Sequence, residues 1–105
     1  MNDNSTDRAP VPASADAEVR VLEICNKKGL HARASAKFCQ TVERFDADVR
    51  VTRGNETVGG TSIMGLMMLG AGIGSKITIE ASGNEAAAVA EALEKLVTGG
   101  FGEED

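Results

Sequence analysis

The stretch NKKGLHARASAKF, residues 26–38, contains the change of pattern that decides the fold. Before it, VRVLEI at 19–24 is rich in β-branched residues and predicts a strand. Gly29 interrupts this pattern, and from Ala32 onward apolar residues recur at helical spacing on one face. A loop and a helix therefore meet at His31, the only histidine in the chain.

Downstream of this stretch, strand and helix patterns alternate. They predict a strand over 47–52, a hairpin return over 56–61, a short apolar helix over 62–69, a strand over 76–81 and a helix over 86–97 capped by Asn84. The order β-α-β-β-α-β-α predicts an α+β fold, with one sheet covered by helices on one face.

A chain of 105 residues suits one domain. We predict a folded domain over 18–98. The polar stretch 1–17 is expected to be a disordered tail, because it has little apolar surface to bury. GGFGEED, residues 99–105, is expected to be a flexible acidic tail.

Composition excludes several classes of function. A net charge of −5, three Phe, no Trp and no Tyr argue against nucleic-acid binding, which needs clustered cations and stacking platforms. No run of about 18 apolar residues could span a membrane, and no signal peptide is evident, so a cytoplasmic location is expected. Cys25 and Cys39 lack C-x-x-C spacing, so we predict reduced, buried thiols, no metal and no cofactor.

His31 lies where phosphate chemistry is physically plausible. The first N–H groups of a helix have no intrahelical partner and, with the helix dipole, attract anions. A phosphoryl group on His31 would meet the backbone N–H groups of Ala32, Arg33 and Ala34, and the Arg33 guanidinium offers bidentate contacts. A lone histidine near a helix start is more often a surface or capping residue, so position alone does not select this chemistry.

The surroundings of His31 suggest a partner protein. Gly29 is expected to let a partner approach the loop closely. A local basic patch on this acidic protein is expected to steer an acidic partner. The patch consists of Lys27, Lys28, Arg33 and Lys37.

Residues 26–38 together with GGTSIMGLMMLG, residues 59–70, closely resemble the histidine-containing phosphocarrier (HPr) family of the bacterial phosphotransferase system. The resemblance spans residues 19–97. It implies an open-faced β-sandwich, with a four-stranded antiparallel sheet of order 1-4-2-3 and three helices on one face. We also expect a monomer.

The resemblance also implies a reaction. His31 would be phosphorylated at Nδ1 by enzyme I, which draws on phosphoenolpyruvate, and would then donate to a histidine of an enzyme IIA-type protein. Arg33 matches the family's phosphate-stabilising arginine. Ala34 stands where most members have proline, which puts transfer rate and partner preference in question. The ARASAKF and TSIMGLMML segments are similar to the nitrogen-related (NPr-like) branch, which regulates metabolism rather than importing sugar.

Ser62 occupies the position of the family's regulatory serine, the substrate of HPr kinase/phosphorylase. The plain alternative is an unmodified N-cap, a role that serine performs well. The helix that follows has more apolar residues than one core face needs, so Leu66 and Leu69 are expected to face inward. The remaining residues are expected to form a partner-docking surface with Lys37: Ile63, Met64 and Met67.

Other classes of function stay open at this point. One is a regulatory binding module controlled at Ser62, with little phosphoryl flux through His31. Another is a small α+β ligand-binding domain that uses the loop from Gly70 to Gly74. A hydrolase is disfavoured, because no carboxylate or nucleophile within the His31 motif completes a catalytic set.

Overall fold

The secondary-structure elements of the protein follow the predicted order. The computed structural model describes residues 17–103, so the predicted tail at 1–17 lies, apart from residue 17, outside the described residues. The elements are β1 (Glu18–Glu23), α1 (Ala32–Glu43), β2 (Asp48–Arg53), β3 (Glu56–Gly59), α2 (Ile63–Met68), β4 (Lys76–Ser82), α3 (Ala86–Thr98) and a 3₁₀ turn (Gly100–Gly102).

The four strands form one antiparallel sheet in the order β1-β4-β2-β3, which confirms the predicted topology. Val51 pairs with Ile79 at the centre of the sheet, and both side chains are completely buried. The period-two alternation of these strands sends such residues to one face, where the three α-helices cover them. The opposite face is open, and Val19 and Val21 of β1 are exposed.

The start of α3 differs from its prediction. Its N-cap is Glu85 rather than Asn84, and this cap makes no side-chain hydrogen bond to the helix. Asn84 instead donates from Nδ2 to Oδ2 of Asp46 at 2.8 Å, and Glu85 Oε1 accepts from the Asp46 backbone N–H at 2.7 Å. Both side chains therefore join the α3 entrance to the loop before β2.

The predicted flexible tail over 99–105 is wrong for residues 99–103. Phe101 is 1% exposed and belongs to the hydrophobic core. Its carbonyl oxygen accepts a hydrogen bond from Lys37 Nζ at 2.7 Å. Burying this aromatic ring contributes about 2 kcal/mol towards holding the segment against the domain, beside the hydrogen bond from Lys37. We refer to residues 99–103 as the C-terminal strap.

The two cysteines occupy different environments. Both are free, but Cys39 is buried whereas Cys25 is exposed, so the prediction of burial is wrong for Cys25. Burial raises the pKa of the Cys39 thiol, and the nearby Glu43 carboxylate adds to this effect. Cys25 follows the buried Ile24 at the end of β1, and the alternation along an extended chain turns it outward.

Candidate functional site

The loop before His31 is pressed against the chain that follows α2. Gly29 is buried with a φ of +65°, and a Cβ placed there would lie 2.3 Å from the Ala71 carbonyl oxygen. Leu30 N–H donates to that same oxygen at 3.0 Å. The expectation that Gly29 admits a partner is therefore wrong, since the glycine admits the protein's own backbone instead.

Two side chains form hydrogen bonds to the backbone of this loop. Asn26, 1% exposed, donates from Nδ2 to the Gly29 carbonyl at 2.9 Å. The buried Ser35 hydroxyl donates to the Leu30 carbonyl at 3.1 Å. The backbone on either side of His31 is consequently held by hydrogen bonds from within the fold.

His31 is the N-cap of α1, in extended conformation (φ −74°, ψ −179°), and its side chain does not cap the helix. The first helical bond runs from Ser35 N–H to the His31 carbonyl at 2.8 Å. The backbone N–H groups of Ala32, Arg33 and Ala34 precede this bond, and no residue within 17–103 accepts from them. The predicted set of unpaired donors is therefore present beside the histidine.

The His31 ring is held by a residue that the sequence analysis missed. Its Nε2 is hydrogen-bonded to Oε2 of Glu103 in the C-terminal strap. Glu103 Oε1 accepts from Asn26 Nδ2 at 3.1 Å. The hydrogen bond with His31, then that from Asn26, hold the pKa of the Glu103 carboxyl below its usual range. A carboxylate outside the His31 motif thus reaches the histidine.

The cationic side chains around His31 differ in whether they have a hydrogen-bond or ion-pair partner among the described residues. Arg33 is exposed, and its guanidinium has no ion-pair or hydrogen-bond partner in the described part of the chain. Lys37 is bound to the Phe101 carbonyl and lies close enough to Glu103 to lower the pKa of that carboxyl slightly. A shallow depression contains these groups. It is lined by Lys28, His31, Ala32, Arg33, Lys37, Gly102 and Glu103.

The His31 side chain is more exposed than that of its partner Glu103. The His31 side chain is 28% exposed, against 15% for Glu103. The ring is thus accessible on one side and hydrogen-bonded on the other. A partly exposed imidazole beside unpaired N–H groups and a free guanidinium can accept a group transferred as an anion.

Ser62 is the N-cap of α2, as predicted. Its Oγ accepts a hydrogen bond from Gly65 N–H at 2.9 Å, and the residue is exposed. The hydroxyl therefore caps the helix while remaining accessible at the surface.

The apolar residues of α2 and its C-cap divide into a buried and an exposed set, as expected. Leu66 and Leu69 are buried, whereas Ile63, Met64 and Met67 are 44%, 67% and 41% exposed. Met68, which the sequence analysis did not single out, is 72% exposed. Helices α1 and α2 pack against each other, and the chain after α2 contacts the loop before His31. We call Ile63, Met64, Met67 and Met68 the α2 patch.

Comparison with known proteins agrees with this architecture. The family model described as the PTS HPr component phosphorylation site matches residues 19–99. The chain belongs to the HPr family. It is 51% identical over 82 residues to the phosphocarrier protein HPr of Neisseria meningitidis serogroup A, covering 78% of this chain and 92% of that protein. It is 39% identical over 84 residues to the phosphocarrier protein NPr of Shewanella violacea, covering 80% and 92%.

Solved structures of HPr proteins share the fold. The crystal structure of HPr-C-His from Thermoanaerobacter tengcongensis superposes with a TM-score of 0.80 at 39% identity, covering 84% of this chain and 99% of that one. An HPr dimer from the same organism has a TM-score of 0.66 at 40% identity, covering 78% and 94%. Within residues 17–103, no helix is long and apolar enough to cross a membrane.

Proposed function

We infer that this chain, as a member of the HPr family, is a phosphocarrier of the phosphotransferase system. We propose that the carrier residue is His31, which accepts a phosphoryl group from enzyme I and donates it to an enzyme IIA-type protein. The observation that supports this most directly is the half-buried imidazole beside three unpaired backbone N–H groups at the start of α1.

Each group of the site has its own role in the proposed transfer step. A ring nitrogen of His31 attacks the phosphorus, a nitrogen–phosphorus bond forms, and the bond from phosphorus to its donor breaks with the electron pair leaving on the donor. The N–H groups of Ala32, Arg33 and Ala34 bind the phosphoryl oxygens, and the Arg33 guanidinium binds them in bidentate fashion. Ala34 keeps a backbone N–H that proline at this position would lack.

Incubation with enzyme I and phosphoenolpyruvate tests this proposal. Mass spectrometry should locate one acid-labile phosphate on His31, and His31→Ala should acquire none. Ser62→Ala is the matched control, because it removes the other proposed phosphorylation site and should still be labelled at His31. A wild-type chain without acid-labile phosphate, or equal labelling of His31→Ala, would refute the carrier role of this residue.

We further propose that Ser62 is a regulatory phosphorylation site, with HPr kinase/phosphorylase as the modifying partner. The exposed hydroxyl at the start of α2, beside the α2 patch, supports this. Phosphoserine would add about two negative charges where a partner docks and would be tolerated at the helix N-terminus. Ser62→Asp should keep the fold and raise the KM for enzyme I; unaltered transfer kinetics would contradict the regulatory role.

We propose that the partner proteins dock on the α2 patch. Flexible methionine side chains suit a surface that meets both a donor and an acceptor. Lys37 was predicted to dock as well. Because its ammonium is bound to the Phe101 carbonyl, we propose that it supplies positive charge at the rim of the His31 depression.

The exposed Ser62 and patch also favour the second candidate function, a regulatory module with little flux through His31. Phosphoryl turnover decides between the two. A phosphocarrier passes labelled phosphate from His31 to an enzyme IIA-type acceptor, whereas a regulatory module binds partners with the same affinity whether or not His31 is replaced by Ala.

We propose a monomeric, cytoplasmic carrier without a cofactor that serves the nitrogen-related branch. Two free cysteines are consistent with a reducing compartment. Ala34 and the Shewanella NPr relative support the branch, while the Neisseria relative of higher identity is named HPr. Comparing phosphoryl transfer to a nitrogen-branch and a sugar-branch enzyme IIA decides this, and faster transfer to the sugar-branch protein would refute the assignment.

A further inference from the structure

Glu103 is the carboxylate that contacts His31 in residues 17–103, and it is held in place by several contacts of the C-terminal strap. The Phe101 side chain anchors the strap in the core, and Lys37 Nζ binds the Phe101 carbonyl. Asn26 Nδ2 then binds Glu103 Oε1 itself. Glu103 is therefore a fixed part of the site rather than a mobile charge on a tail.

The orientation of the Asn26 amide is determined by its neighbours. The Gly29 carbonyl can only accept a hydrogen bond, so the atom of Asn26 that faces it at 2.9 Å must be the NH₂ nitrogen. In this orientation Asn26 Oδ1 is buried and has no partner among the described residues. Leaving a buried oxygen unpaired is unfavourable, so the hydrogen bonds from Nδ2 to Gly29 and Glu103 must outweigh it.

These contacts determine where the proton of His31 lies. The pKa of Glu103 is lowered from its ordinary value of 4.5, chiefly by the hydrogen bond with His31 and then by that from Asn26, so its carboxyl is ionised at neutral pH and can only accept. The His31 nitrogen that faces it, Nε2, must therefore be the donor. In a neutral imidazole with its proton on Nε2, the lone pair is on Nδ1.

We propose that Glu103 is a positioning residue for phosphoryl acceptance: it fixes the His31 tautomer in which Nδ1 is the nucleophile. The inference rests on the proposed function. Nδ1 attacks the phosphorus, the donor–phosphorus bond breaks with its electron pair leaving on the donor, and the proton stays on Nε2. The ring then carries a positive charge that the carboxylate stabilises, as a buried carboxylate does for a catalytic histidine in hydrolases.

Two substitutions of Glu103 distinguish a positioning role of this residue from a merely structural one. In Glu103→Gln the amide oxygen stays on Asn26 Nδ2, which turns the new NH₂ group towards His31 Nε2. A donor there requires the lone pair on Nε2 and moves the ring proton to Nδ1, where it blocks attack. Glu103→Ala removes the contact and lets the ring choose either tautomer. The near-isosteric Gln substitution should therefore impair transfer more than Ala.

Two measurements on the full chain test this order. Long-range ¹H–¹⁵N correlation NMR of the neutral ring should show the proton on Nε2 in wild type and on Nδ1 in Glu103→Gln. With enzyme I and phosphoenolpyruvate, we expect kcat for His31 phosphorylation to fall about 10-fold in Glu103→Ala and about 100-fold in Glu103→Gln. KM should change by less than about 2-fold, because the ring chemistry rather than docking is altered.

Glu43→Gln is the matched control. It removes the same charge at the other end of α1, about 18 Å from His31, and should leave tautomer and rate unchanged. Wild-type rates in both Glu103 variants, a wild-type proton on Nδ1, or a slow Glu103→Gln with an unchanged tautomer would each overturn the inference. A wild-type chain that enzyme I does not phosphorylate would instead refute the proposed function, while the NMR result still reports whether Glu103 sets the tautomer.

Discussion

Replacing Gly29 with Ala should destabilise the protein through a specific backbone contact. The new Cβ would lie 2.3 Å from the Ala71 carbonyl oxygen and 2.8 Å from Gly72 Cα, both backbone atoms that cannot rotate away. The Leu30–Ala71 hydrogen bond at 3.0 Å would have to lengthen as the two segments separate. Because Leu30 precedes His31, the displacement would also reach the candidate site.

The magnitude can be divided into two parts. Alanine at a φ of +65° costs about 1 kcal/mol on its own. Forcing a methyl group into a filled space adds about 2 kcal/mol. Gly70 provides the matched control, since it has the same φ of +65° but no atom of a neighbouring segment within 4 Å of the place where a Cβ would lie. Gly70→Ala should therefore lose only the backbone part.

Urea unfolding followed by circular dichroism measures the difference. With a slope of about 1 kcal/mol per M for a domain of this size, Gly29→Ala should unfold at about 2 M less urea than Gly70→Ala. Equal midpoints for the two variants would refute the reasoning, because they would show that the loop before His31 is not pressed against residues 71–72.

Further predictions concern single side chains. Arg33→Ala should keep its circular dichroism spectrum and slow phosphorylation of His31 by roughly 30-fold, the equivalent of losing one charge-assisted contact of about 2 kcal/mol. The control is Arg50→Ala, at an exposed position of β2. If Arg33→Ala instead loses the folded spectrum, Arg33 has a structural role. Iodoacetamide should alkylate Cys25 well before Cys39, since Cys39 is buried with a raised pKa, and equal rates measured by mass spectrometry would contradict this. The pKa of Glu103 is lowered in the folded protein, so the stabilisation by its contacts is complete above the ordinary value of 4.5 and is lost as pH falls through the lower folded value. The difference in melting temperature between wild type and Glu103→Gln should accordingly shrink in acid, and a pH-independent difference would rule out this linkage.

The fold was largely predictable because its signals are local and repeated. Alternation in 47–52 and 76–81 placed Val51 and Ile79 on the inner face, where the structure buries both. The predicted helix bounds differ from the observed ones by a residue or two, as frayed ends commonly do. Strand order could not come from alternation, which is satisfied by many pairings; it was supplied by the family resemblance.

The candidate site was predictable only where it is local. His31 and the N–H donors after it follow from one loop–helix junction, so the sequence located them. Glu103 is 72 residues from His31, and no periodic pattern connects the two. Its segment is dominated by Gly and acidic residues, a composition typical of disorder, and a single aromatic residue, Phe101, overrides that tendency by entering the core.

The charges around His31 suit a site that accepts and then releases a phosphoryl group better than a site that binds phosphate tightly. A carrier must release the group it accepts, so strong ground-state binding of the phosphoryl group would slow the second transfer. In the proposed transfer, Arg33 and the helix N-terminus attract the incoming group. Glu103, fixed by Asn26, carries a negative charge that opposes it while stabilising the positive ring. The same carboxylate thus favours a nucleophilic Nδ1 before transfer and weakens retention of phosphate afterwards. Neutralising it in Glu103→Gln should therefore lengthen the lifetime of phosphohistidine once formed, even though formation is slower; a shortened lifetime would show that Glu103 protects the phosphorylated state.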